Sequence, residues 1–495
     1  MKEKLKTFNF SKNQDLYILI LILFIAFLTR IFFYNGIVFS DDSYYNQLAI
    51  SLLQGNFAEN YLGYPIFLLR KMEIVFTAFS FFLFGINETS SVLFPFVLSV
   101  SSIVLVYKFA LVLFEEKKIG LLAAFLYAFF PPDIIFATIN FTDLQCAFFI
   151  NLGLYSLLKA HKESDNKWSM LSGLFFSLSL LIKESLLFVI VLLVGLQIYL
   201  FIKNRSSNRT IIISLLIVVS FIVIEGLFYY FSAGKLEYRI YMLAENYRYC
   251  YYDFFPYTVL GVDAGTGSYL KAIAKQVFVL NPKYLFARRY YLGLPILALV
   301  QAILLIKEKR EKLLTYWGVG IMILLLSLST SFTDYKPFDL KRSWYIFIGV
   351  MPIMLLAAQY LSRFRLKYQV IMLSVYLVGS IIMSYEYQKF FNMESLNSLK
   401  NFVKLNDDAT IYTDHHTKYG LDVIRGEGKI SDTKIIMGKY YNLYDIPRSA
   451  FVIYNRKEID ELLLQGYVYP EFTVLDESGY SKTHEFGKFI IYQKN

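Results

Sequence analysis

The chain has 495 residues, of which 56% are hydrophobic, 18% aromatic and only 18% charged, against about 25% charged in an average soluble domain. Its apolar residues fall in runs that approach or exceed the roughly 18–20 needed to cross a hydrocarbon core about 30 Å thick, which excludes a soluble globular protein. The net charge of +10 does not argue for nucleic acid, because the basic residues sit in short loops between apolar runs, where topology explains them.

Lys2, Lys4, Lys6 and Lys12 precede the first apolar run, 16–34. That run is long and lacks a small-residue cleavage site, so it reads as a retained signal anchor rather than a signal peptide. Further spans are expected at 90–114, 119–135, 142–158, 168–182, 185–202, 210–228, 290–306, 313–331, 344–361 and 368–384, about eleven crossings in all. The stretch 66–85 is also apolar. Arg70, Lys71 and Glu73 within it favour a pair of interfacial helices on the outer leaflet over a further crossing.

Alternate loops are basic: the N-terminus, Lys117 with Lys118, and the stretches 159–167, 203–209, 307–312 and 363–367. The positive-inside rule places them in the cytoplasm. Outer loop 1 (35–89), the long loop 229–289 and the C-terminal region then lie outside, and an odd number of crossings agrees. The expected fold class is an α-helical polytopic membrane protein, with a transmembrane domain at 1–385 and a small extracytoplasmic α/β domain at 386–495. In that domain 394–405 and 457–464 read as helices, and 409–413, 451–454, 472–475 and 488–492 as strands. Cys146 lies in a span and Cys250 in a loop, so the two do not suggest a disulfide framework.

Ionisable groups gather at the outer ends of the spans, where desolvation is costly and such groups are usually functional. Asp41 and Asp42 follow the first span within a few residues. A carboxylate at a dry site accepts a proton from a hydroxyl or amine, or ligates a hard cation; equally, Ser40 and Asp41 are helix N-cap types. Asp143 opens the fourth span, Lys183 and Glu184 form the turn between the fifth and sixth, Arg288 and Arg289 precede the eighth, and Lys341 and Arg342 precede the tenth. Cations beside carboxylates suit a phosphorylated, lipid-linked substrate, the cations holding phosphate while a carboxylate moves a proton. Snorkelling interface anchors are the alternative. That alternative fits Arg288 and Arg289 better, and Lys183, flanked by apolar spans, less well. The tyrosines around 247–252 suit sugar stacking or, more commonly, an interfacial belt. Asp414-His415-His416 carries metal-ligand residue types but reads as a surface turn after a strand.

In chain order, these features resemble the GT-C glycosyltransferases, and within them the protein O-mannosyltransferase and aminoarabinose-transferase-like membrane enzymes. The resemblance begins at Thr29-Arg30, continues through FSDDSYYNQLAISLLQGNF, with Tyr45 after the acidic pair, and reaches Phe84-Gly85. Residues 119–160 look like the family's third and fourth spans, with Asp143 at the acidic position. LSLLIKESLLFVI resembles its Leu-x-x-Lys turn and supplies Lys183, while KRSWYIFIGVMPIMLLAA supplies Arg342, Tyr345 and Pro352. Asp-Asp stands where the family commonly has Asp-Glu, and Arg342 is separated from Tyr345.

The resemblance implies an inverting transferase at the outer face of the cell membrane. It would take a sugar from a polyprenyl-phosphate-linked donor and pass it to a protein, lipid or glycan acceptor, among membrane lipid and without nucleic acid. Asp41 is then expected as general base and Asp42 as its catalytic partner, orienting acceptor or sugar. Tyr45, Asp143, Lys183, Glu184, Arg342 and Tyr345 are expected to bind substrate. No cofactor is expected to be obligatory; a divalent cation, Mg or Mn, is the option such carboxylates leave open. The competing expectation is a polytopic transporter or lipid-linked-sugar flippase, which predicts midplane charges and internal repeats.

Overall fold

The computed structural model describes residues 14–57, 65–202, 209–247, 271, 273–308, 312–327, 340–426, 432–435, 446–456 and 479–494. The first half runs α1 (Gln14–Phe32), α2 (Asp41–Leu53), α3 (Ile66–Leu69), α4 (Lys71–Phe84), α5 (Glu88–Ser91), α6 (Leu93–Phe114), α7 (Lys117–Ala128) and α8 (Pro131–Phe136). It continues with α9 (Thr142–Glu163), α10 (Asn166–Ile182), α11 (Leu186–Ile202), α12 (Arg209–Ala233) and α13 (Tyr238–Tyr247). The second half has α14 (Asn281–Phe286), α15 (Leu294–Glu308), α16 (Lys312–Ser327), α17 (Phe347–Ser362), α18 (Leu366–Phe390) and α19 (Met393–Leu405). A sheet unit follows, with β1 (Ile411–Thr413), α20 (His415–Arg425), β2 (Thr433–Ile435), β3 (Phe451–Asn455), β4 (Tyr480–Phe486) and β5 (Phe489–Lys494).

Among the described residues five helices are long and apolar enough to cross a membrane: α1, α6, α12, α17 with its leading turn (Ser343–Ser362), and α18. The chain is therefore a mostly helical, multi-pass membrane protein. Helices α1, α12 and α18 turn apolar side chains such as Phe24, Leu216 and Val375 outward, whereas α17 is buried along most of its length. Helices α9, α10 and α12 approach closely: a Cβ on Gly173 would meet the Ser214 carbonyl at 2.8 Å.

Arg30 would be expensive alone in an apolar helix. It is fully buried, pairs with Asp133 of α8, and donates to Ser99 Oγ at 2.6 Å and to the Ala128 carbonyl at 3.0 Å. One side chain thus ties α1 to α6, α7 and α8. The expected span 119–135 is broken into α7 and α8, because Pro131 and Pro132 have no N–H to continue the first helix and open the second instead. The stretch 66–85 forms a helix pair, α3 of 4 residues and α4 of 14, parted at Arg70.

The C-terminal sheet has the order β2-β1-β3-β5-β4, parallel across β2, β1 and β3 and antiparallel across β3, β5 and β4. Strands were expected near β1, β3 and β5. Strands β2 and β4, and helix α20, were not. The expected helix 457–464 and strand 472–475 lie outside the described residues. Asp414-His415-His416 is not a surface turn. Asp414 caps α20 by accepting from the Thr417 amide at 2.8 Å, and all three residues are buried where α20 packs on α2.

Candidate active site

The acidic pair divides at the start of α2. Asp42 points inward and is fully buried, with one carboxylate oxygen accepting from the Val38 amide at 2.8 Å and the other from the Ser40 amide at 2.7 Å. Burial raises its pKa, and the two amide donors oppose that rise. Asp42 is thus engaged with its own loop. Asp41 is exposed, and its charge acts on Tyr45, Arg70, Asp143 and Tyr345, which border the same space.

One turn along α2, the Tyr45 hydroxyl accepts a hydrogen bond from Arg70. Arg70 occupies the break between α3 and α4, and its Nη2 lies 3.8 Å from Glu184. Its Nε is buried without a hydrogen-bond partner among the described residues. Glu184 is shared: Arg239 of α13 approaches it at 3.5 Å and also pairs with Glu225 of α12 at 2.7 Å. These neighbouring acids keep both guanidinium groups charged despite burial.

Lys183 ends α10 with an extended backbone, and its ammonium reaches both oxygens of Asp143, in the first turn of α9, at 2.7 Å. The same ammonium stands 5.6 Å from the centre of the Tyr345 ring. Arg342 is exposed beside it, over Trp344 at 5.9 Å. Trp344 in turn stacks on Phe141, the residue that precedes α9, at 6.0 Å. The expected residues Asp41, Tyr45, Asp143, Lys183, Glu184, Arg342 and Tyr345 therefore converge, from four segments distant in the chain. Arg288, by contrast, binds the Leu340 carbonyl at 3.0 Å and belongs to loop packing.

Arg70, Glu73 and Arg239 were not among the expected site residues. Glu73 is fully buried on α4, accepts from Gln145 and has its pKa pushed up to about 8, by desolvation first, with the Gln145 bond and Arg70 opposing. A signal is present in the sequence: of the three charges in the apolar stretch 66–85, Arg70 and Glu73 are buried in the protein. Among the described residues no group of three His, Cys, Asp or Glu side chains converges on one point; Asp143 is engaged with Lys183 and Asp42 with backbone amides.

Residues 72–230 match the family model described as dolichyl-phosphate-mannose-protein mannosyltransferase. No curated protein sequence matches the chain. The fold is shared with ArnT from Cupriavidus metallidurans, solved bound to undecaprenyl phosphate, at 10% identity and a TM-score of 0.55 over 97% of this chain and 98% of that one. It is shared too with the Archaeoglobus fulgidus oligosaccharyltransferase AglB, solved with an inhibitory peptide and a dolichol-phosphate, at 12% identity and a TM-score of 0.54 over 98% of this chain and 75% of that one. The same archaeal enzyme, in complex with zinc and sulfate, gives a TM-score of 0.56 at 12% identity over 96% of this chain and 73% of that one. The resemblance to the GT-C membrane glycosyltransferases holds, on a matched family model for about a third of the chain and on the fold for nearly all of it.

Proposed function

We propose that this chain is an inverting glycosyltransferase that moves a sugar from a polyprenyl-phosphate-linked donor to an acceptor at the outer face of the cytoplasmic membrane. The observation that carries this reading is the pairing of one open carboxylate, Asp41, with cations held in place around it, Arg70 and Lys183. Relatives in fold were solved with undecaprenyl phosphate and dolichol-phosphate, which supports the lipid-phosphate donor.

In this reading Asp41 accepts the proton of the acceptor hydroxyl or amine as that group attacks the anomeric carbon. The bond from that carbon to the phosphate oxygen breaks, and the lipid phosphate leaves with the electron pair. Charge building on it is met by Arg70, by Lys183 and by Arg342 at the open edge. Asp143 keeps the Lys183 ammonium aimed, and Glu184 does the same for Arg70 and Arg239. Asp42 acts through the loop, holding Asp41 in place. Tyr45 and Tyr345 line the sugar and phosphate. The acceptor is a protein, lipid or glycan. No metal is required by these groups, and a Mg or Mn ion would have to draw on Asp41.

The topology belongs to the same proposal. Helices α1, α6, α9, α10, α11, α12, α15, α16, α17 and α18, with the broken pair α7–α8, make eleven crossings. The basic loops lie in the cytoplasm, and the sheet unit lies outside beside the acidic loop. Purified protein given a panel of labelled polyprenyl-phosphate sugars, with and without EDTA, tests the proposal. Donor consumption with stoichiometric release of lipid phosphate, unaffected by EDTA, is expected. A folded protein that consumes no donor contradicts the transferase reading, and loss of turnover to EDTA contradicts the metal-free one.

A further inference from the structure

The loop between α1 and α2 has no regular secondary structure, yet Phe33, Asn35, Ile37, Val38 and Phe39 are buried. Phe39 sits at φ +52°, a left-handed backbone that a bulky residue keeps only when its surroundings over-determine it. Buried carbonyls in such a loop need donors from elsewhere. Three come from the C-terminal unit. Lys400 of α19 donates to the Asn35 carbonyl at 2.8 Å, Lys488 to the Phe39 carbonyl at 3.2 Å, and His416 Nε2 to the Ser40 carbonyl at 3.0 Å.

Apolar contacts close over the same residues. The Phe39 ring meets Phe489 at 5.1 Å, and Gly420 of α20 has no Cβ because one would stand 2.5 Å from that ring. His416 stacks on Tyr44 at 4.9 Å, and Tyr44 stacks on Phe67 at 4.9 Å. Lys400 also pairs with Glu88, whose Oε1 accepts from the Ile37 amide at 2.9 Å. An ordinary domain interface would bury side chain against side chain. Here donors from three separate elements end on carbonyls of the short segment that leads into Asp41.

We infer that the C-terminal unit is a clamp on the loop carrying Asp41, with Lys400, His416 and Lys488 as positioning residues for transfer; this rests on Asp41 being the base. Without Lys400 or Lys488 a loop carbonyl loses that donor, and without His416 the Ser40 carbonyl keeps only the Ser43 amide at 3.0 Å; each change loosens the Val38 and Ser40 amides that hold Asp42, and moves Asp41. A displacement of about 1 Å in a reacting group lowers turnover by up to about 10²-fold, with little effect on donor binding by the cations.

The full-length protein decides it. His416→Phe keeps the ring stack and loses the donor, His416→Gln keeps a donor, and Lys488→Met keeps the bulk. Hydrogen exchange of the peptide spanning 33–44 is measured beside kcat, acceptor KM and donor affinity. The expected result is faster exchange and a kcat reduced about 10–100-fold in H416F and K488M, with acceptor KM and donor affinity held and H416Q restored. Unchanged exchange in both variants overturns the clamp, as does faster exchange with unchanged kcat. Should H416F fail to fold, K488M carries the test. Asp41→Asn is run alongside: full turnover there defeats the base assignment itself, while the exchange data still decide the clamp.

Discussion

Glu73 and Lys183 accommodate burial in opposite ways. The Lys183 ammonium is met by both oxygens of Asp143. Glu73 has a single hydrogen-bonded oxygen, from Gln145, and burial pushes its carboxyl up to about 8. Its ordinary value is 4.5, so the fold binds this proton more tightly than the unfolded chain does. The stabilisation is complete below about pH 4.5 and is lost as pH rises to about 8. The isosteric change Glu73→Gln removes that titration. Melting temperatures across pH 5 to 9 are expected to fall more steeply in the wild type than in the variant; parallel curves would show that Glu73 is already charged. At this scale the sequence made Asp41, Asp143 and Lys183 legible, since each is an ionisable residue at the end of an apolar run. Arg70 and Glu73 were harder to read, because the direction of a charged side chain in a short apolar helix is set by which neighbours surround it. The same holds for the division of labour within Asp41-Asp42, which depends on a loop backbone that composition does not encode.

Among the elements, α1 is held by a few buried apolar residues, by the Asp15–Lys117 pair and by a fully buried ion pair at its far end. Much of its surface faces outward, and Arg30 links it to Asp133 and Ser99. Removing one member of a buried pair leaves an uncompensated charge and costs about 3–5 kcal/mol, whereas replacing both is far milder. Arg30→Met is therefore expected to lower thermal stability strongly, and Arg30→Met with Asp133→Asn to recover most of it. Additive losses in this cycle, measured by thermal unfolding in detergent, would show that the pair is uncoupled. The long apolar helices were legible because a single property, sustained hydrophobicity, specifies them. Helix α20 was not legible: it begins with two histidines and carries polar residues that become buried only in the fold, against α2 and the sheet unit's own elements. Strand β4 presents Ser481, Lys482, Thr483 and Glu485 to solvent, so it lacks the alternation by which a half-buried strand is recognised.

For the whole molecule, the charge pattern of the loops and the docking of the sheet unit on the acidic loop make a joint statement about sidedness. If the basic loops are cytoplasmic, the site and the C-terminal unit share the outer face. In a chain with its two native cysteines replaced, Ser481→Cys is expected to react with a membrane-impermeant maleimide on intact cells, and Lys162→Cys only after lysis. The reverse pattern would invert the topology and place donor and acceptor in the cytoplasm. The overall architecture was legible from hydropathy and from an ordered series of weak motifs. The packing of α13 against the site through Arg239 was not, because it joins residues 184, 225 and 239 through the fold alone.

In the proposed reaction Asp41 takes a proton while fixed cations receive a lipid phosphate. The most direct measurement is single-turnover transfer from a labelled polyprenyl-phosphate sugar by wild type and Asp41→Asn, each shown to be folded and to bind donor. Asp41 is exposed, so the variant is expected to fold and to bind donor while the chemical step slows by about 10²–10⁴-fold, the usual worth of a general base. Equal single-turnover rates in the two proteins would contradict the account.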